Sequence, residues 1–410
     1  MRAILHSDLN SYYASVEMML DPTLRGKAVA VCGSTETRHG IVLAKSELAK
    51  KAGVKTGMAN WEAQRCCPGL VMVPPQYDQY IKYSNLARSI YGRYTDLVEP
   101  FGMDECWMDV TGSSAIGSPL DIAEQIRQAT REELGLTVSI GVSFTKIFAK
   151  LGSDMKKPDA ITSITPEGFR KQVWPLPASD LLGVGRATAE KLARRGITTI
   201  GGIAKCDKSS MKAWLGINGI KLWEYANGLD ASRVAPAGYK PIAESVGHGI
   251  TCAADLHTPQ EVKQLLLSLA PRVSRQLREI GLLATGIQLS VRDNDLYFYE
   301  YQTKLKYPTQ SWKEMVDCAM ALLAARHRWI KPIRAVTIRA INFISEKQPR
   351  QLDLFEDQVA RQKEETLERT VDDIRRRFGD SAIMIASTAG TKLKRDQARE
   401  MLAMPVNMYI

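Results

Sequence analysis

This 410-residue sequence has no cysteines at CxxC spacing and no long apolar run. Its seven cysteines form no CxxC pair and have no histidine at metal-ligand spacing, so neither a zinc site nor a disulfide framework is indicated. The sequence contains no run of 18 apolar residues, and it therefore predicts no membrane-spanning helix. Together these absences favour a cytoplasmic protein with reduced thiols.

What the sequence has is length and positive charge. A chain of 410 residues is too long for one compact domain and suggests two to four. The composition, 45% hydrophobic and 24% charged, is ordinary for a globular protein. The net charge of +10 favours an anionic partner but does not identify one.

An acidic pair lies between two short stretches of strand character. Val98–Phe101 and Cys106–Thr111 are the stretches, and Asp104 and Glu105 stand at their join. Neighbouring side chains on a strand point to opposite faces, so both can reach one site only from a turn. Asp8 ends a predicted buried strand near the N-terminus. The three carboxylates are candidate divalent-metal ligands; the competing interpretations are a solvated turn for the pair and a helix cap for Asp8.

Five motifs, in order along the chain, carry a family resemblance. They are Asp8-x-Asn10-x-Tyr12-Tyr13-Ala14-Ser15-Val16-Glu17, Arg25 to Val31, Met103 to Thr111, Gly141 to Lys150 and Ser153 to Pro158. In this order they resemble the Y-family (translesion) DNA polymerases of the bacterial DinB/UmuC type, over residues 1 to about 345. The resemblance implies an α+β multidomain protein with a ferredoxin-like palm, fingers, a helical thumb and a separate α/β little finger.

The expected domain limits follow the resemblance and changes in composition. We expect palm and fingers over 1–170 with fingers at about 25–75, a thumb over 171–230, a linker over 231–243, a little finger over 244–345, and a clamp-binding motif with a tail over 346–410. Within the thumb, Gly183-Val-Gly185 between two helical stretches resembles a helix-hairpin-helix. Such a turn presents backbone N–H groups to a DNA phosphate.

The resemblance also implies the roles of the acidic residues. Asp8 and Asp104 are expected to bridge two Mg²⁺ ions, and Glu105 to hold the ion nearer the primer terminus. Nucleotidyl transfer creates charge on the attacking 3′-oxygen and on the leaving pyrophosphate, and two metal ions stabilise both. These residues are thus both the catalytic and the metal-binding candidates.

Contacts with the incoming dNTP are expected from three further positions. Tyr13 matches the steric gate, whose ring occupies the space of a ribose 2′-hydroxyl. Lys50 and Lys157 match basic residues that contact the triphosphate, although each taken alone is an ordinary surface lysine. One departure accompanies them: many relatives have a tyrosine where this sequence has Glu47, so some triphosphate contacts must differ.

Basic residues and a short apolar motif indicate two macromolecular partners. Arg292, Arg334 and Arg339 lie on or beside predicted strands and are candidate contacts to primer-template DNA; an ordinary basic sheet surface is the alternative. Gln351-Leu352-Asp353-Leu354-Phe355 closely matches the motif by which bacterial polymerases bind the sliding clamp. We expect no membrane partner and a monomeric protein.

The sequence therefore predicts a template-directed, error-prone DNA polymerase for translesion synthesis. No stretch remains for a proofreading exonuclease, so low fidelity is expected. One alternative is a non-catalytic DNA- and clamp-binding scaffold with an inactive palm, against which the intact carboxylates argue. A nucleotide cyclase uses a similar palm and metals, but the helix-hairpin-helix, the little finger and the clamp motif disfavour it.

Overall fold

The structure, a computed structural model, describes residues 2–36, 38–348, 358–379 and 382–386. It divides into two compact units. The first contains the described residues of Met1–Gly33 and Ile41–Pro241, and the second those of Ser34–Gly40 and Ile242–Asp396. The boundary after Pro241 falls within the predicted linker at 231–243.

The first unit alternates short strands and helices. In chain order its elements are β1 (Ile4–Leu9), α1 (Tyr12–Leu20), β2 (Val29–Cys32), β3 (Val42–Lys45), α2 (Glu47–Lys51), α3 (Asn60–Cys66), β4 (Val71–Val73), α4 (Tyr77–Tyr91), β5 (Val98–Phe101), β6 (Glu105–Asp109), α5 (Pro119–Leu134), β7 (Val138–Ser143), α6 (Lys146–Met155), β8 (Ile161–Ile164), α7 (Phe169–Val173), α8 (Arg186–Ala193), α9 (Ile200–Lys205), α10 (Lys208–Leu215) and α11 (Ile217–Ala226).

A five-stranded sheet in the order β5-β6-β1-β7-β8 forms the centre of this unit. β1 pairs antiparallel with both β6 and β7, and β8 joins β7 in parallel. All six residues of β1 are buried because helices cover both faces of the sheet. One face packs against α1, α4 and α5 in the main apolar core, and α6 crosses the other. The strand order, with helices between β1 and β5 and between β6 and β7, is the βαββαβ arrangement expected of the palm.

Gly141 explains how α6 lies so close to the sheet. A Cβ atom at this position of β7 would stand 1.9 Å from the carbonyl oxygen of Ala149 and 2.6 Å from the amide nitrogen of Ser153, both in α6. Only glycine permits this approach of helix to strand. As a result, α6 brings its polar side chains against the same face of the sheet as Asp8.

Two smaller substructures flank the central sheet. A three-stranded sheet in the order β3-β2-β4 carries α2 and α3 in the segment predicted as fingers. Helices α7 to α11 surround a second apolar core in the predicted thumb.

The sequence predicted helical stretches on both sides of Gly183-Val-Gly185. The structure has a single 3-10 turn at Ala178–Asp180 before the glycines and an α-helix, α8, only after them. Pro177 and the positive φ of Gly183 leave no room for a longer first helix.

The second unit is a four-stranded antiparallel sheet with helices on one face. Its elements are β9 (Ser245–Leu256), α12 (Pro259–Glu279), β10 (Leu282–Asp293), β11 (Phe298–Thr309), α13 (Trp312–Arg326), β12 (Ile333–Ser345) and α14 (Gln358–Phe378), and its strand order is β11-β10-β12-β9. Apolar side chains of α12 and α13 pack on the sheet to form one core. No helix in the described part of the chain is long and apolar enough to cross a membrane.

α14 adds a further layer on the helical side of this unit. Arg278 of α12 is nearly buried and pairs with Glu368 at 2.8 Å and with Asp372, both from α14. Glu368 also accepts hydrogen bonds from the hydroxyls of Ser274 and Ser311. Because each of these charged groups has its partners, the polar cluster is buried without an unpaired charge.

Candidate active site

Asp8 and Glu105 face each other across neighbouring strands. Their Cα atoms are partners in the antiparallel register of β1 and β6, so their side chains lie on the same face of the sheet. Asp104 precedes β6 in a tight turn that begins at Gly102, and its carbonyl accepts the backbone N–H of Leu9 at 2.9 Å. The turn therefore brings the Asp104 carboxyl to the end of β1 where Asp8 and Glu105 lie. A turn at this place is what the sequence predicted for two adjacent acids that share one site.

Two lysines balance the charge of these acids. Lys150 Nζ lies 2.8 Å from Glu105 and 3.9 Å from Asp8, and Lys157 Nζ lies 2.7 Å from Asp8. Asp154 contacts both ammonium groups, at 3.2 Å and 2.9 Å. Lys157 thus lies beside the carboxylates. Lys150 was named only as the end of the motif Gly141 to Lys150, and in the structure it pairs with a carboxylate.

His6 belongs to the site, and the sequence analysis missed it. Its ring is fully buried, with Nδ1 2.8 Å from the Ser153 hydroxyl and Nε2 3.2 Å from Glu105 Oε2. Strand alternation could have found it, because a residue two positions before Asp8 on β1 shares its face. The edge of its ring also packs against Trp107, two residues beyond Glu105 on β6.

The acids have unequal proton affinities. Burial, followed by the charges of Asp8 and Glu105, raises the pKa of Asp104 to about 7. Burial also raises the pKa of Asp8, although Lys157 opposes the rise. Burial disfavours ionised Glu105 as well, but its contacts with His6 and Lys150 outweigh this and lower its pKa. Asp104 is therefore the acid whose negative charge is least compensated by the protein.

These residues fit a divalent cation. Glu105 Oε2 is buried, and its neighbours are Lys150 Nζ at 2.8 Å and His6 Nε2 at 3.2 Å. Three carboxyl groups meet at one end of β1, where burial and the like charges of Asp8 and Glu105 raise the pKa of Asp104. A hard cation with oxygen ligands would relieve the repulsion among these carboxyl groups. In the part of the chain that the structure describes, no three acidic, histidine or cysteine side chains form a closed ligand group; Asp8 and Glu105 are instead paired with lysines.

Tyr13 is held by aromatic packing. Its ring stacks on that of Tyr80, with centroids 4.1 Å apart and planes within 8° of parallel, and its hydroxyl donates to the sulfur of Met103 at 3.4 Å. Tyr80 in turn donates its hydroxyl to the buried carboxylate of Glu17, which also accepts from Gln76 at 2.7 Å. The expected gate residue therefore rests on a fixed second ring that the sequence analysis did not identify.

Lys50 lies apart from the carboxylates. It is exposed on α2, and its Nζ is 3.9 Å from Glu47 Oε2, one turn earlier on the same helix. Glu47 Oε1 accepts a hydrogen bond of 2.9 Å from the hydroxyl of Ser11, the residue before α1. A cavity of about 200 Å³ opens beside this contact and is lined by Ser11, Lys27, Ser46, Glu47 and Pro158, among others.

The candidate DNA-binding residues lie in both units. In the first unit, Gly183 adopts φ +93° and Gly185 begins α8 without a side-chain cap, so the first turn of this helix presents backbone N–H groups. In the second, Arg292 and Arg339 lie on the sheet face away from the helices, whereas Arg334 stands beside a register shift in β12. Arg292 is partly engaged, since its Nε donates to the carbonyl of Leu296 at 3.1 Å.

Two glycines of β9 make room for side chains of the neighbouring strand β12, among them Arg339. Gly247 is its Cα partner, and a Cβ there would come within 3.1 Å of the arginine side chain. A Cβ on Gly249, two residues along, would meet Thr337 Oγ1 at 2.1 Å. At both positions a side chain of β12 therefore fills the space that a β9 side chain would need. The predicted clamp motif, Gln351 to Phe355, lies outside the described residues.

Comparison with known proteins agrees with this architecture. A solved Y-family DNA polymerase chimera of Dbh and Dpo4 superposes with a TM-score of 0.74 at 22% identity, covering 84% of this chain and 99% of that one. DNA polymerase IV of Acetivibrio thermocellus is 45% identical over 379 residues, 92% of this chain and 95% of the relative. DNA polymerase IV 1 of Bacillus subtilis is 37% identical over 402 residues, 97% and 95% of the two chains.

The fold and the relatives define the class as a Y-family DNA polymerase of the DinB type, an enzyme that is a DNA-directed DNA polymerase. The chain belongs to the impB/mucB/samB family, whose profile matches residues 7–154 and whose C-terminal domain matches residues 243–354. The predicted family and the predicted α+β multidomain fold class are thereby confirmed.

The raised pKa of Asp104 predicts a pH-dependent gain in stability for Asp104→Asn. In the folded protein the pKa of Asp104 is about 7, against 3.8 for a free side chain. Ionisation of this carboxyl therefore costs more in the folded than in the unfolded state, and the free energy of unfolding falls as pH rises from about 4 to 7. Each pKa unit corresponds to roughly 1.4 kcal/mol at most. With chelator present, Asp104→Asn should raise Tm more at about pH 8 than at about pH 5. An equal gain at both pH values would contradict the raised pKa.

Proposed function

We propose that Asp8, Asp104 and Glu105 hold two Mg²⁺ ions and support transfer of the nucleoside monophosphate of a dNTP to a primer 3′ end, with pyrophosphate as the leaving group. Ions bound by such carboxylates stabilise charge on the attacking 3′-oxygen and on the leaving pyrophosphate. The observation that carries this proposal is the register of β1 and β6, which sets Asp8 opposite Glu105 with Asp104 in the adjoining turn. Lys150 and Lys157 neutralise part of the acidic charge and keep the side chains oriented.

The incoming dNTP is proposed to lie between Tyr13 and the lysines. Stacking on Tyr80 fixes the Tyr13 ring, so that a ribose 2′-hydroxyl would meet a side chain unable to move aside. Lys157, already beside Asp8, is suited to the reacting end of the triphosphate, and Lys50 to its outer part. α1 begins without a side-chain cap, and its N-terminal N–H groups favour the same anion.

The DNA is proposed to contact both units through its phosphates. The turn at Gly183 and Gly185 would bind one strand by backbone N–H groups, without reading the sequence. Arg292, Arg334 and Arg339 would contact phosphates along the sheet of the second unit, a proposal supported by the position of Arg292 and Arg339 on the face away from the helices. Because these contacts release counterions, affinity for DNA should fall steeply with salt.

Recruitment by the sliding clamp and low fidelity complete the proposal. Gln351 to Phe355 would bind the clamp, an assignment that rests on the motif alone. We propose translesion synthesis without proofreading by a monomer in the cytoplasm, on the strength of the family and the sequence. The predicted limits of palm, fingers, thumb and little finger remain part of this proposal.

Primer extension tests the polymerase and its carboxylates together. On a primed template with Mg²⁺ and four dNTPs, the wild-type protein should extend the primer, and Asp104→Asn combined with Glu105→Gln should lose at least about a thousandfold in rate, since the metal sites lose their charge. Asp109→Asn is the matched control, because Asp109 lies on the same strand but binds the backbone N–H of Thr111.

Extension that survives in the double variant would place the metal ligands elsewhere. No extension by any of the proteins, with binding of primer-template intact, would favour the scaffold function.

Tyr13→Ala should raise incorporation of ribonucleotides. Loss of the ring opens the space for a 2′-hydroxyl, so the ratio of kcat/KM for dNTP to that for rNTP should fall by about two orders of magnitude or more. Tyr13→Phe keeps the ring and should retain the discrimination. If sugar discrimination is unchanged in Tyr13→Ala, another residue is the gate.

Deletion of Gln351 to Phe355 should abolish stimulation by the clamp. Activity on short primers without clamp should be unaffected, because the deleted residues lie beyond the residues proposed to contact DNA. Replacement of the neighbouring Glu356 by Ala, outside the motif, serves as the control. An unchanged response to the clamp would exclude the motif as the binding segment.

A further inference from the structure

We propose that Glu47 is an internal competitor of the incoming triphosphate and sets the affinity of this enzyme for dNTPs. The proposal rests on the proposed role of Lys50 as a triphosphate contact. It assigns Glu47 a role in substrate affinity.

The two oxygens of the Glu47 carboxylate engage two different elements. Oε1 accepts the hydroxyl of Ser11 at 2.9 Å, and Oε2 lies 3.9 Å from Lys50 Nζ. Ser11 stands at the start of α1 in a left-handed conformation, with φ 47°. A single carboxylate thereby connects the start of α1, next to the catalytic Asp8, with the lysine proposed for the outer phosphates.

The groups around the Glu47 carboxylate favour a negative charge at this position. α1 has no acidic residue in its first turn and no side-chain cap, so the positive end of its dipole is compensated by Glu47 rather than from within the helix. Lys27 and Glu47 line the same cavity. Burial and the charge of Lys50 lower the pKa of Lys45, whereas the charge of Glu47 raises it. Three lysines therefore lie near the Glu47 carboxylate.

The triphosphate of a dNTP is attracted to the same positive groups as the Glu47 carboxylate. To bind Lys50 it must displace the Glu47 carboxylate or remain beside a like charge. The Glu47–Lys50 pair is more than a third exposed on both sides and has a long separation, so it is weak and can be broken by a more highly charged ligand. We expect the displacement of Glu47 to weaken binding of the dNTP and to leave the chemical step unchanged, because among the described residues Glu47 contacts Ser11 and Lys50 and not the three carboxylates.

Steady-state kinetics of Glu47→Gln test this role. The amide can still accept the Ser11 hydroxyl but carries no charge, so KM for the dNTP should fall roughly three- to tenfold at low salt, with kcat within about twofold of wild type. The fall in KM should shrink as ionic strength rises. Glu279→Gln, an exposed acid at the end of α12, makes the same change in net charge and should leave KM unchanged.

Lys50→Ala and the double variant separate this inference from the assignment on which it rests. Lys50→Ala should raise KM, and Glu47→Gln should then have a smaller effect in that background. If Lys50→Ala leaves KM unchanged, the triphosphate assignment of Lys50 fails. If Lys50→Ala raises KM but Glu47→Gln leaves it unchanged or raises it, the assignment stands and the competitor role of Glu47 is refuted. Thermal melting of each variant identifies any that fail to fold.

Discussion

The antiparallel pairing of β1 with β6 is the constraint on which the site depends. It sets Asp8 opposite Glu105 and His6 opposite Trp107 on one face of a fully buried strand. A shift of one residue in this register would turn the acids to the opposite face, into the apolar core formed with α1, α4 and α5. Burial of β1 on both faces makes such a shift costly, so the same packing that stabilises the sheet positions the carboxylates.

Charge balance at the site is achieved by one helix and the segment after it. The glycine contact at Gly141 lets α6 lie directly on β7, and α6 then supplies Lys150 to Glu105 and Ser153 to His6. Lys157, just beyond the helix, contacts Asp8. These cations reduce the repulsion between the acids, but burial and the charges of Asp8 and Glu105 still raise the pKa of Asp104.

The second unit uses charge in a different way. Its open sheet face exposes Arg339 beside glycine, whereas its helical side buries Arg278 between acids of α14. α14 lies beyond the family match, which ends at residue 354. Removing a single partner from a buried cluster of this kind leaves an uncompensated charge. The ion pairs of Arg278 with Glu368 and Asp372 therefore favour one position of α14 on α12.

The sequence alone was sufficient for the family, the fold class and the group of acids. Ordered motifs indicated the family, and strand periodicity around Asp104 and Glu105 predicted that both could serve one site only from a turn. In the structure Asp104 lies in the turn and Glu105 is the first residue of β6. The sequence predicted a helical stretch before Gly183 but not its form, a single 3-10 turn, because that depends on local backbone geometry at Pro177 and Gly183.

Only the tertiary structure decided which distant side chains meet. His6 with Ser153, Tyr13 with Tyr80, and Ser11 with Glu47 are separated by 147, 67 and 36 positions, and each contact follows from helices and strands packing together. Local patterns in a sequence report periodicity and turn chemistry over a few residues. They carry no information about which faces of remote elements are pressed together, because that is settled by packing of the whole core.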